Sequence, residues 1–257
     1  MRRTEAKTDP LIALGTVAAV LVAWWLLTAT QTLPPTRFPS PAEVWAALRQ
    51  VALTGYADAR LHEHILHSSK LVLMGFAVAI ATGVPLGLAM GWSRRAEALV
   101  NPAFLLVRPI PPLAWIPLAI VWLGLGDAAK VLVIWFAAFV PSVINSYAGV
   151  RSLERHVIEA ARMLGATRWM MIREVLIPGA TPLIFTGLRL SLQACWTTLV
   201  AGELIGATAG LGHVLQQSAL DLFPAMILVG MLFVALAGAV MTWALGLIEK
   251  RAMPWRS

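Results

Sequence analysis

The chain has 257 residues, of which 59% are hydrophobic and only 13% charged, where a water-soluble domain carries about a quarter. That deficit argues against a soluble globule and for a lipid-facing exterior, and eleven tryptophans suit the headgroup region, where the indole keeps its body in the apolar phase and its N–H in water. A formal charge of +7 would suit a nucleic-acid partner, but the basic residues sit at the ends of apolar runs and not on one soluble face, which argues against one.

Residues 1–10 carry Arg2, Arg3 and Lys7 and read as a cytoplasmic tail. The apolar run that follows to Ala29 is longer than a signal-peptide core and no small-residue cleavage site follows it, so it reads as a retained span. Six runs approach the roughly 20 residues needed to cross the hydrocarbon: 11–30, 68–91, 98–123, 128–150, 179–204 and 224–248. The expectation is an all-α membrane protein with six transmembrane helices, a single membrane-spanning domain over 11–248 and a cytoplasmic tail over 249–257.

Between the first two runs, residues 31–67 are too polar to span. Ser40 and Pro41 form a helix cap and first-turn proline, and Val44, Leu48, Val51 and Ala52 make one apolar stripe, which predicts a short helix in the membrane interface. Most of the 20 basic residues fall in segments that share one side, among them Arg94, Arg95, Arg151, Arg155, Arg162, Arg168, Arg173, Lys250, Arg251 and Arg256. The positive-inside rule makes that side cytoplasmic and puts both termini there.

The third run holds Arg108, Pro109, Ile110, Pro111 and Pro112, with Pro117 beyond. Each proline removes a backbone donor and crowds the preceding turn, so this helix must kink or break. Unpaired backbone at membrane depth is tolerable only against protein or a water-filled cavity, which makes Arg108, Pro109 and Pro111 candidates to line a pathway; a structural kink is the plainer alternative.

Between the fourth and fifth runs lies a basic segment, 151–178, containing Glu159, Ala160, Ala161, Arg162, Met163, Leu164 and Gly165, then nine residues, then Val175, Leu176, Ile177 and Pro178. Alanines let a helix approach a partner closely, and Gly165 permits a sharp turn between two short helices. Glu159 is expected near the first helix's start, where the dipole favours a carboxylate, while Ala166, Arg168 and Arg173 complete a surface for docking. The plain alternative is a basic loop that only fixes topology. This pattern resembles the EAA loop of ABC importer permeases, which reads Glu-Ala-Ala, three residues, Gly, nine residues, Ile, one residue, Leu-Pro. Glu159, Ala160, Ala161, Gly165 and Pro178 fall on its most characteristic positions; Val175 and Ile177 replace one apolar residue by another.

The resemblance extends over roughly residues 65–255, through 108–130, 186–212 and the stretch Lys250 to Trp255, and is nearest to permeases for taurine, aliphatic sulfonates and nitrate. Residues 1–64 match only in length and hydropathy. The resemblance implies a type I ABC importer membrane subunit in a bacterial inner membrane. It also implies a second copy of the chain, two cytoplasmic ATPase subunits that carry the ATP and Mg, and an external solute-binding protein. The cargo it implies is a small anion: taurine, another sulfonate, nitrate or an aromatic carboxylate.

In the fifth run, Arg189, Gln193, Trp196, Val200 and Glu203 recur at helical spacing and define one face that is expected to meet protein or water. Arg189 and Arg108 would attract an anion and Glu203 would repel it unless paired with an arginine; the alternative is that Arg189 and Glu203 only join helices. After this run, Gly210, Leu211, Gly212 and His213 suggest a turn and a short re-entrant helix at the outer gate. Cys195 is the only cysteine, inside an apolar run, and reads as a small hydrophobe. His62, His64 and His67 lie close in sequence but no ligand set completes a metal site, and no nucleophile–base pair, paired carboxylates or Walker-type phosphate loop occurs. The chain is therefore expected to be a transporter subunit that binds no cofactor itself and leaves ATP hydrolysis to a partner. An ion-coupled secondary transporter built on Glu203, Arg108 and the broken span is the competing reading. A non-transporting scaffold would leave the broken span without a purpose.

Overall fold

The computed structural model describes residues 10–30, 34, 37–204 and 206–254, with the side chains of residues 10, 11 and 13 left aside. The expected tail over residues 1–9, and Trp255 and Arg256, lie outside the described residues. Among those described, the chain is helical and forms no strand.

Helix α1 (Pro10–Ala29) is apolar along its whole length and exposed on nearly every described side, as suits a helix surrounded by lipid. The indole N–H of Trp24 donates to the Pro39 carbonyl at 3.1 Å and ties it to the next segment. Helix α2 (Pro41–Leu53) starts as expected: the Ser40 hydroxyl accepts from the Glu43 N–H, and the Glu43 carboxylate accepts from the Ser40 N–H at 2.6 Å. Its apolar stripe buries Ala47 and Val51 against Val214, Ala225, Met226 and Val229, with Val44 and Leu48 packed alongside, while Ala52 is exposed. The stripe therefore finds protein, and Trp45 on the other side stays exposed.

Helix α3 (Leu61–Trp92) begins seven residues before the expected span, so His62, His64 and His67 sit on its first turns and not in a separate outer segment. Glu63 fixes that start by accepting from the Arg60 N–H at 2.6 Å. Helix α4 (Arg94–Val107) and α5 (Ile116–Leu123) replace the third span, joined by a 3₁₀ turn over Pro112–Trp115 and bent against each other by 86°. The break falls where the prolines remove backbone donors.

Helix α6 (Asp127–Arg151) is followed by α7 (Arg155–Met163) and a short α8 (Arg168–Met170). A π-helical stretch (Met171–Leu176) then leads straight into α9 (Ile177–Glu203). Pro178 therefore lies within one continuous helix, Arg168–Glu203, and not at the end of a loop. The Ile177 N–H reaches back to the Ile172 carbonyl, a wide turn that absorbs the donor Pro178 lacks. A short helix, α10 (Leu211–Leu220), follows the Gly210 turn as expected, and α11 (Pro224–Ala252) is the last described helix.

Helices α3, α6 and α9 form the core, with Leu71, Phe76, Ile134, Ala138, Leu188 and Leu192 among the side chains buried between them. Gly83, Gly87 and Gly91 recur every four residues on α3, and a Cβ at Gly87 would stand 2.5 Å from the Val143 carbonyl oxygen. Small residues at this spacing let membrane helices approach closely where no hydrophobic effect drives them together. Ser191 donates to the Ala138 carbonyl at 2.7 Å and shares a hydrogen bond with Ser142, a polar stitch between α9 and α6.

Four helices among the described residues are long and apolar enough to cross a membrane: α3, α6, the continuous helix Arg168–Glu203, and α11. The bent α4–α5 pair makes five if counted as one span. In α1 the described apolar stretch, Leu14–Ala29, is shorter.

Candidate functional site

The basic segment folds into an elbow. Helix α7 ends at Met163, Gly165 adopts φ +81°, and Thr167 caps the next helix by accepting from the Met170 N–H. That φ is the left-handed region, which glycine enters without penalty. No heavy atom lies within 4 Å of a Cβ built on Gly165, so backbone conformation and not crowding makes glycine suitable there. At the tip, Met163 and Leu164 are 84% and 89% exposed, with Ala160 exposed and Ala161 and Ala166 half-buried. An exposed apolar knob of this kind is what a partner surface would cover.

Glu159 departs from expectation. The helix starts at Arg155 with Glu154 as its cap, so Glu159 lies mid-helix, away from the positive end of the dipole, and pairs with Arg155 at 2.8 Å. Glu154 pairs with His156 instead. Arg168 is exposed at the start of α8, and Pro178 is half-buried in the first turn of α9.

The candidate pathway residues do not form one set. Arg108 caps α4 and is exposed beside exposed Pro109 and Pro111. Arg189 pairs with Glu249 of α11, and Gln193 is exposed. Trp196 is buried, its indole N–H without a partner, close to the position of a Cβ on Gly238. No hydrogen bond or ion pair joins any two of these residues among those described.

Glu203 is fully buried, and its partner is not an arginine. The Ser68 hydroxyl donates to it at 2.8 Å and the Gly212 N–H at 2.7 Å, while His67 Nδ1 stands 3.8 Å from its Oε1. The cradle continues outward. The Leu211 N–H donates to Ser68 at 2.8 Å, the Gly210 N–H to His64 Nδ1 at 3.0 Å, and His67 Nε2 lies 3.2 Å from Asp127. A Cβ at Gly210 would collide with the Glu203 carboxylate. Thus the start of α10 wraps one buried carboxylate of α9 and pins it to α3. Sequence reading singled out the histidine run and the Gly210–Gly212 turn separately; nothing in the one-dimensional pattern joins them. Nearby, the Tyr56 hydroxyl donates to the Asp221 carboxylate at 2.5 Å and ties the α2–α3 turn to the end of α10; burial and that carboxylate push the phenol up to about 12. No group of three or more potential metal ligands assembles among the described residues.

The family model for binding-protein-dependent transport system inner membrane components matches residues 83–254. The chain is 37% identical over 245 residues to the taurine transport system permease protein TauC of Escherichia coli strain K12, covering 95% of this chain and 89% of that protein. It is 30% identical to the putative aliphatic sulfonates transport permease protein SsuC of the same organism, over 92% of this chain and 88% of the relative. Among solved structures, the MetNI methionine ABC transporter in an inward-facing form superposes with a TM-score of 0.57 at 21% identity, over 72% of this chain and 95% of that one, a likeness of fold. Together with the elbow and the apolar helices, these matches establish that the chain belongs to the binding-protein-dependent transport system inner membrane components, the permeases of ABC importers.

Proposed function

We propose that the chain is the membrane subunit of an importer that moves a small organic anion, of the taurine or sulfonate class, into the cytoplasm by alternating access. In this reading six helices span a bacterial inner membrane with both termini cytoplasmic. Two copies form the pore, an external binding protein delivers the solute, and two separate ATPase chains bind ATP and Mg and hydrolyse the nucleotide. Closure of the ATPase pair moves the docked elbows, and the rigid helices behind them swing open outward; the coupling comes from contacts that differ between the two states.

The observation that carries this reading is the elbow itself. Residues 155–167 present an exposed apolar tip, and the helix after the bend runs without interruption from Arg168 to Glu203. A displacement of the tip is therefore delivered along one rigid helix to the Glu203 cradle. The relatives' names favour a sulfonate cargo, with nitrate and aromatic carboxylates as alternatives.

The test is ATP-dependent uptake by the reconstituted complex. Glu159→Lys and Gly165→Asp are each expected to abolish uptake and lower co-purification of the ATPase chain while expression stays normal; unimpaired uptake removes the docking role. Solute-stimulated ATPase activity, screened across taurine, alkyl sulfonates, nitrate and aromatic dicarboxylates, identifies the cargo. Uptake that persists without the ATPase chain would support the ion-coupled reading instead.

A further inference from the structure

A cleft of about 660 Å³ opens between the α3–α4 turn and the elbow, lined by Trp92, Arg94, Arg95, Arg162, Thr167 and Arg168 among others. Four of its lining residues are arginines and none is a carboxylate. No ion pair engages any of the four among the described residues, and three acids of the adjoining segments are committed elsewhere. Glu97 is held by Arg151 and Tyr147, Glu159 by Arg155, and Glu154 by His156. All four side chains are exposed, and together they give the cleft a positive potential that favours an anion.

We propose that this cleft binds the headgroup of an anionic phospholipid, and that a lipid carrying two phosphodiester groups fits it best. Guanidinium forks match phosphate oxygens two at a time, so four arginines suit two phosphates, and the cleft is larger than one phosphate needs. Its depth selects lipid over a soluble anion. Trp92 ends the apolar run of α3 that begins after Lys70, and Arg94 is the first residue of α4, so the cleft lies where that run ends and headgroups would begin. Ser93 and Thr167 cap α4 and the continuous helix Arg168–Glu203 beside it, so two helix starts add positive potential. The choice of the cytoplasmic leaflet rests on the orientation proposed above; the chemistry does not.

The experiment is lipid retention by the purified permease–ATPase complex, read by native mass spectrometry after exchange into phosphatidylcholine nanodiscs doped with diphosphatidylglycerol. Arg94→Gln/Arg95→Gln is expected to lower retention by roughly tenfold or more, with ATPase stoichiometry unchanged. Equal retention by the variant overturns the site. Loss of the ATPase chain with lipid retained assigns the cleft to the docking face and also overturns it. Displacement of the lipid by millimolar inorganic phosphate overturns the lipid as source in favour of a soluble phosphate anion. A second readout uses the unaltered complex: phenylglyoxal modification of Arg94 and Arg95 is expected to slow with diphosphatidylglycerol vesicles and not with phosphatidylcholine vesicles, and equal rates overturn the proposal. Neither readout uses transport, so failure here is distinguishable from failure of the importer reading.

Discussion

Glu203 illustrates how a charge is carried inside a membrane protein. A buried carboxylate is costly unless its lone pairs are filled, and here a serine hydroxyl and a backbone N–H fill them, with an imidazole close by. Glu203→Ala removes the acceptor and leaves the Ser68 hydroxyl and the Gly212 N–H facing a void. It is expected to cost about 2–4 kcal/mol, read as a lowered thermal-unfolding midpoint in detergent, while Glu203→Gln, which keeps an acceptor oxygen, loses less. Equal stability of Ala and Gln variants would show that the cradle holds nothing. Arg189 teaches a related lesson. Its spacing with Glu203 suggested one polar face of the fifth run, yet it reaches sideways to Glu249 of α11 while Glu203 turns inward to α3. Helical spacing states which residues share a face, but not what stands opposite them.

Among the helices, the contact between α3 and α6 depends on side chains that are absent. At Gly87 the atom a Cβ would meet first is the backbone oxygen of Val143, which has no rotamer to yield. Gly87→Leu is expected to force the helices apart at a cost of about 1–3 kcal/mol or more, read as loss of a monodisperse peak in size-exclusion chromatography. Gly15, with no heavy atom near its Cβ position, serves as the control, and Gly15→Leu is expected to leave that peak unchanged. The same scale shows which boundaries were readable. The proline cluster after Arg108 announced the break because proline's missing donor is a local property. The continuous helix from Arg168 through Pro178 was not announced, because a π turn that absorbs a proline depends on how the preceding backbone is held. The start of α3 at Leu61 was also missed: its first turn is polar, and hydropathy cannot distinguish a polar helix end from a loop.

For the molecule as a whole, orientation is the property on which the importer reading turns, and the lone cysteine makes it testable. Cys195 is fully buried, so the unaltered protein gives little background with thiol reagents. Single cysteines at the elbow tip, Met163→Cys, and beside α10, Leu222→Cys, replace residues that are 84% and 85% exposed. A membrane-impermeant maleimide is expected to label Leu222→Cys in spheroplasts and Met163→Cys only in inverted vesicles. The reverse pattern would place the elbow outside and remove its access to an ATPase.

Composition and order of residues were enough to mark the chain as a helical membrane protein of the importer-permease family with a proline-broken segment. Hydropathy, proline chemistry and a spaced motif all act over neighbouring residues and leave their mark in one dimension. The tertiary structure alone decided which polar groups meet: Ser68 with Glu203 across 135 positions, Arg189 with Glu249 across 60, and four arginines from two segments around one cleft. Those pairings follow from how helices pack, and packing is set by the whole set of side chains filling the space between them.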